Sequence, residues 1–95
     1  MREFLVDLSA VRSWPGLVAA FNEGFMRHIG GDWNGNLDAF HDYLSWPDLP
    51  YRLVIEGWSR CRTQVNGYKT RDGRLTLDVI EEIFRDNPQA EIVLD

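Results

Sequence analysis

The stretch from Asp32 to Trp46, D-W-N-G-N-L-D-A-F-H-D-Y-L-S-W, predicts a helix that begins at Leu37. Asn36 suits the N-cap position because its side-chain oxygen can accept a hydrogen bond from a backbone N–H of the first turn. At about 100° per residue, the apolar and the polar side chains of this helix separate onto different faces. The apolar stripe contains Leu37, Phe40 and Leu44, and the polar face contains Asp38, Asp42 and Ser45. The sequence therefore predicts an amphipathic helix with an acidic polar face.

The segment around this helix is rich in carboxylates and lacks cations. No lysine or arginine lies between His28 and Tyr51. Its carboxylates are Asp32, Asp38, Asp42 and Asp48, and the aromatic residues interleaved with them are Trp33, Phe40, Tyr43, Trp46 and Tyr51. We expect the glycine-containing loop 30–35 to present Asp32 and Trp33 beside the start of the helix. The segment predicts a surface that attracts a cationic partner and buries aromatic area against it.

Two other interpretations of these residues remain open. Asp38 and Asp42 would also fit an ordinary solvated helix face, and most of the aromatic rings would fit a core. Asp38 and His41 share one side of the helix and would in principle suit an acid-base or metal pair. However, a metal site needs three or four converging ligands, and no nucleophile with an evident base accompanies them. We therefore expect a binding protein with no cofactor and no catalytic residues.

Length, charge and cysteine content narrow the class of protein. The 95 residues suffice for one domain, 1–95, and the net charge of -5 argues against a protein that binds nucleic acid by neutralising phosphates. Cys61 is the only cysteine, which excludes an intrachain disulfide and a cysteine-rich metal site. Residues 1–8 lack the long apolar run of a signal peptide or membrane span. We expect a cytoplasmic protein that does not contact a membrane.

Hydrophobic periodicity and turn residues predict a βα rhythm along the chain. Strands are predicted at 3–8, 51–56 and 91–94, and helices at 14–28, 37–46, 59–65 and 75–86. Ser13 and Asn36 mark helix starts, and Asn87-Pro88 marks a helix end. Asn66-Gly67 and Asp72-Gly73 are turn signals within an irregular connection. This order predicts an α/β fold with a three-stranded parallel sheet and three to four helices packed on it.

The residues that carry these elements resemble one known family. The run Gly35 to Leu44, G-N-L-D-A-F-H-D-Y-L, is similar to the binding helix of the barstar family, the intracellular inhibitors of secreted barnase-like ribonucleases. Leu53 to Glu56 is similar to that family's second strand, Ile83 to Asp86 to its last helix, and Glu91 to Leu94 to its last strand. The resemblance implies a barstar-like fold and a ribonuclease inhibitor or immunity protein.

The resemblance also implies roles for particular residues. Asp42 matches the central contact, a carboxylate inserted into the phosphate-binding active site of the nuclease, and Asp38 flanks it. Asp86 matches an acidic contact on the last helix. Asp32, Trp33 and Trp46 match the loop and helix-end region that frames the site. Asn36 and His41 are further predicted contacts. The family has tyrosine at the positions of Asp32 and Trp33 and tryptophan at that of His41, so we expect a target other than barnase. The predicted partner is a basic guanyl-specific ribonuclease bound one to one, and the free protein is expected to be a monomer.

A basic segment suggests a second class of function. Residues 59–74 contain five cations and one carboxylate, namely Arg60, Arg62, Lys69, Arg71, Arg74 and Asp72. These cations would either balance the acidic half of the chain or bind RNA or another anion, with Trp58 and Tyr68 as the only nearby aromatic platforms. A third possibility is a barstar-like interaction module with a basic partner that is not a nuclease.

Overall fold

Three parallel strands in the order β1-β2-β3 form the sheet of this protein. The computed structural model describes residues 2–47, 50–65 and 67–95. Its strands are β1 (Arg2–Asp7), β2 (Tyr51–Glu56) and β3 (Ala90–Leu94). Its α-helices are α1 (Trp14–Gly24), α2 (Leu37–Ser45), α3 (Trp58–Gln64) and α4 (Thr76–Arg85), and a 3-10 helix spans Met26–Ile29. The predicted α/β fold with a three-stranded parallel sheet and four helices is confirmed.

The helices pack on one face of the sheet. Side chains alternate between the two faces along each strand. Phe4, Val6, Leu53 and Ile55 are buried on the helix side, in a cluster that includes residues of all four helices. The opposite face is exposed, and there Arg52 forms ion pairs with Glu3 and Glu91, each at 3.4 Å. Burial of the apolar side chains is the main stabilising contribution, at roughly 1.5–3 kcal/mol for each large one.

The first helix ends earlier than its periodicity predicts. A helix through residue 28 was expected, but α1 ends at Gly24 and Phe25 leaves helical geometry with φ -137°. Gly24 lies against β1 so closely that a Cβ atom would come 2.3 Å from the carbonyl oxygen of Leu5. The break places Phe25 and Met26, which are adjacent in sequence, both fully inside the core. Phe25 stacks on Tyr51 there, with ring centroids 5.5 Å apart.

The connection between α3 and α4 contains the predicted turn. Gly73 has φ +83° and its N–H donates to the Thr70 oxygen at 3.0 Å, while Lys69 and Leu75 form an isolated antiparallel bridge. Asn66, the first residue of the other turn signal, lies outside the described residues. Burial raises the pKa of the Cys61 thiol to about 11, so this cysteine stays protonated and unreactive at neutral pH.

Candidate partner-binding surface

Helix α2 buries its apolar stripe and exposes its acidic side. Phe40 and Leu44 are fully buried, while Asp38, His41 and Asp42 are exposed. The predicted cap is confirmed, because the Asn36 side-chain oxygen accepts a hydrogen bond from the Ala39 N–H at 3.0 Å. The predicted amphipathic character of α2 is therefore correct, and Asn36 holds the helix start in place.

A shallow cleft separates α2 from α4. Its volume is about 350 Å³, and its lining comprises Leu37, Asp38, His41, Asp42, Val79 and Ile83. The α2 side of the cleft carries the polar groups, and the α4 side contributes Val79 and Ile83 as an apolar wall. Asp86 follows Ile83 by three residues, which places it on the same flank of α4 one turn further on. The cleft thus combines carboxylates with an apolar wall.

The carboxylates of Asp38 and Asp42 have no counter-charge within the described part of the chain. No described side chain forms an ion pair with either of them or with Asp86. Asp38 and Asp42 are like charges at i and i+4, an arrangement that destabilises a helix. Asp42 also lies in the last turn of α2, where the helix dipole disfavours an anion and where no basic residue is present. The dipole favours Asp38, which lies in the first turn, so the repulsion within the pair and the position of Asp42 are the two effects that oppose the stability of the free protein.

The expectation that the loop presents Trp33 to a partner is wrong. Trp33 is only 3% exposed and packs against Phe40 with ring centroids 4.9 Å apart. Buried Asn22 fixes its backbone, accepting from the Trp33 N–H at 2.5 Å and donating to the Trp33 oxygen at 2.8 Å. The indole N–H donates to the Asn36 oxygen at 2.7 Å. Trp33 thus anchors the loop under α2 and is not available at the protein surface.

Two more of the aromatic residues predicted at the surface belong to the core. Phe40 and Tyr51 are fully buried, and the Tyr51 hydroxyl donates to the Leu44 oxygen at 2.7 Å. Burial raises the pKa of Tyr51 well above its usual value. Only Trp46, at 48% exposed, offers a large open ring, and it packs on half-buried Tyr43 with centroids 4.6 Å apart. The interpretation of most rings as core residues is the correct one.

Asp32 lies at the far end of the surface. Its backbone N–H donates to the Tyr43 hydroxyl at 3.1 Å, which ties the loop to α2. Its carboxylate lies 4.0 Å from the Arg27 guanidinium, and both side chains are largely exposed, so this ion pair is weak. We use the name acidic surface for six exposed members of the predicted site: Asp32, Asp38, His41, Asp42, Trp46 and Asp86. Asn36 is exposed as well, but its side-chain oxygen is used in capping α2. Asp48, the remaining carboxylate of the segment, lies outside the described residues.

Sequence reasoning missed two contributors to this region. Asn22 is the buried residue that fixes the loop, and a polar residue between apolar Phe21 and Phe25 was the available signal. Val79 forms part of the cleft wall, and its spacing of four from Ile83 was the corresponding signal.

The basic segment is partly neutralised by α4. The Arg62 guanidinium lies 2.6 Å from Asp78 and 3.1 Å from Glu81, and Arg74 pairs with Glu82. The hydrogen bond to Asp78 is the main cause that raises the pKa of Arg62. Trp58 is 3% exposed and so offers no stacking platform. These contacts support charge balance as the role of Arg62 and Arg74.

Metal binding, membrane spanning and relationship to known families are the remaining questions about this chain. Among the described residues, no three His, Cys, Asp or Glu side chains converge closely enough to hold a metal ion. Within the same residues, no helix combines the length and apolar character needed to cross a membrane. A scan of known protein families finds none that matches the chain, and a search of curated proteins finds no similar sequence. The resemblance to the barstar family therefore stays a prediction from the residues quoted above.

Proposed function

We propose that this protein is an inhibitor that blocks the active site of a secreted guanyl-specific ribonuclease with its acidic surface. The observation that carries the proposal is the pair Asp38 and Asp42, which is uncompensated, opposed in part by the helix dipole and adjacent to an apolar cleft. Charged residues that oppose the stability of the free chain are expected at positions where they contribute to binding a partner.

The chemistry of a ribonuclease site complements this surface. A ribonuclease must gather Arg, Lys and His side chains around a transferring phosphate, and a carboxylate can accept charge-assisted hydrogen bonds from them. Asp42 on α2 would thereby mimic a substrate phosphate, with Asp38 beside it. The apolar wall of Val79 and Ile83 can receive the methylene stem of a long cationic side chain while its head reaches the carboxylates.

The proposal includes a one-to-one complex and a cytoplasmic location. One acidic surface per chain can cover one active site. The single cysteine is a buried free thiol, which suits a reducing compartment.

A basic protein that is not a nuclease is the second candidate partner, and the same acidic surface supports it. Direct RNA binding has less support, because Arg62 and Arg74 already pair with α4 and Trp58 is buried. Tyr68, at 42% exposed, remains as the one aromatic ring of the predicted platform that is open to solvent. RNA binding by the free protein at physiological salt would favour that alternative.

Inhibition of a panel of guanyl-specific ribonucleases tests the proposal. Wild type, Asp42→Ala and Glu23→Ala are compared at low and high salt. Glu23 is an exposed carboxylate on α1, so both variants lose one negative charge and only the local contact differs. We expect salt-sensitive inhibition that weakens at least about thirtyfold in Asp42→Ala, as for a hot spot of about 2 kcal/mol, and little in Glu23→Ala.

Two results would contradict the proposal. Equal inhibition by wild type and Asp42→Ala would remove the phosphate-mimic role of Asp42. Failure to inhibit any enzyme of the panel would move the function to another basic partner.

A further inference from the structure

The outer edge of β3 borders a second cleft, on the flank of α4 that faces away from α2. The cleft has a volume of about 490 Å³, and its lining comprises Glu81, Phe84, Arg85, Pro88, Ala90, Ile92 and Leu94. Glu81 and Arg85 lie on the opposite side of α4 from Val79 and Ile83. A molecule bound at this cleft would therefore leave the acidic surface free.

The β3 edge lacks the usual protection against pairing with another strand. Within the sheet, β3 pairs with β2 alone. Natural edge strands are commonly protected by lysine, proline or a bulge, whereas A-E-I-V-L contains one charged residue, Glu91, which already forms an ion pair with Arg52 at 3.4 Å. Val93 and Leu94 are 40% and 41% exposed. An added strand at this edge would thus bury apolar surface of β3, and it would not bury a charged side chain of β3 that lacks an ion-pair partner.

The direction of the backbone N–H and C=O groups of β3 determines how an added strand can align with it. The Asp95 N–H donates to the Ile55 oxygen at 3.1 Å and the Tyr51 N–H donates to the Gln89 oxygen at 3.2 Å, so odd-numbered residues of this strand turn their backbone groups toward β2. Even-numbered Ile92 and Leu94 consequently turn theirs outward.

We propose that a second copy of this chain pairs with β3, antiparallel and about a two-fold axis at Ile92. In this register Ile92 faces its own counterpart and exchanges both backbone hydrogen bonds with it. Leu94 faces the small Ala90 of the other copy, and Glu91 faces Val93, so side-chain sizes match and no like charges are opposed. A shift that centres the pair on Val93 would instead set Glu91 against Asp95. In this register the facing side chains of two identical strands match in size and charge. We therefore favour a second copy of this chain over an unrelated strand as the partner of β3.

The result is a six-stranded sheet in a dimer that carries two free acidic surfaces. This departs from the monomer expected from the sequence. The inference does not rest on the proposed function, because the dimer contact and the acidic surface lie on opposite flanks of α4.

Sedimentation at increasing protein concentration tests the dimer. For wild type we expect the mass to rise from 11.0 kDa toward twice that value as the concentration increases from about 1 to about 500 µM. Leu94→Lys should remain a monomer, because it places a charge in the cleft of the other copy. Leu5→Lys, the same change at an exposed leucine on the β1 edge, should dimerise like wild type.

Ile92→Cys provides a second test that does not depend on the fold of the lysine variant. Residues in a hydrogen-bonded antiparallel pair have Cα atoms about 5.5 Å apart, which a disulfide can span. Oxidised glutathione should convert Ile92→Cys to a covalent dimer and leave Leu5→Cys monomeric. A wild-type mass that stays at 11.0 kDa, dimerisation retained in Leu94→Lys, or failure of Ile92→Cys to cross-link would each overturn the proposal.

Discussion

The acidic surface of α2 and the contact between α3 and α4 contain similar residues in different environments. Each has carboxylates and a tryptophan. At the α3–α4 contact, Arg62 pairs with Asp78 and Glu81, and the Trp58 indole N–H donates to Glu81 at 2.7 Å. On the acidic surface, no described side chain pairs with Asp38 or Asp42, and Trp46 is 48% exposed. The charges of the first group are paired within the fold, whereas Asp38 and Asp42 are open to a partner.

This difference separates residues that stabilise the chain from residues that we propose bind a partner. A buried tryptophan with its hydrogen bond made contributes to folding, while an open tryptophan beside unpaired charges contributes mainly when a partner covers it. Substitutions in the two regions should therefore change different measured quantities, stability in one and binding in the other.

Replacing the two tryptophans gives the largest contrast. Trp58→Ala should lower the free energy of unfolding by about 3–5 kcal/mol, because it leaves a cavity beside Phe84 and removes the bond to Glu81. Trp46→Ala should lower it by only about 1 kcal/mol, because it removes the contact with Tyr43, and should weaken binding to the proposed ribonuclease or other basic partner. Urea denaturation and a binding titration measure the two effects. A loss of stability in Trp46→Ala as large as that in Trp58→Ala would remove the distinction between the regions.

The contrast between Trp33 and Trp46 shows where sequence reasoning is sufficient and where it is not. Apolar periodicity, the Asn36 cap and Asn87-Pro88 were enough to predict the order of elements, because these signals act within one helix or strand. Whether Trp33 lies inside or outside depends on Asn22, eleven residues away on α1, so no local pattern reveals it. The break at Gly24 likewise depends on the approach of β1.

Substitutions of charged side chains in the two regions should have smaller effects, of opposite sign, on the free energy of unfolding. Arg62→Ala should lower the free energy of unfolding by about 1 kcal/mol, a value discounted because the side chain is 33% exposed. Asp42→Asn should raise it by about 0.2–0.5 kcal/mol, because it relieves the repulsion from Asp38 and the opposition of the dipole. Arg60→Ala is the control for Arg62, since Arg60 forms no ion pair with a described residue. Destabilisation by Asp42→Asn would show that an interaction within the chain compensates this carboxylate.

The smallest expected effect concerns His41, which lies between Asp38 and Asp42 on α2. Its side chain is exposed at the cleft, and the α4 side of the cleft supplies only Val79 and Ile83. A cationic partner disfavours a positive charge at this position, so His41→Lys should bind more weakly than His41→Gln at neutral pH and low salt. One unit charge about 10 Å away in water corresponds to about 0.4 kcal/mol, or roughly twofold in affinity, and salt screening reduces the effect further. Because both variants remove the imidazole, the ratio of their affinities in a binding titration isolates the added charge. Equal affinities would show that the partner does not approach this side of α2, and would restrict the proposed contact to Trp46 and the loop side of the helix.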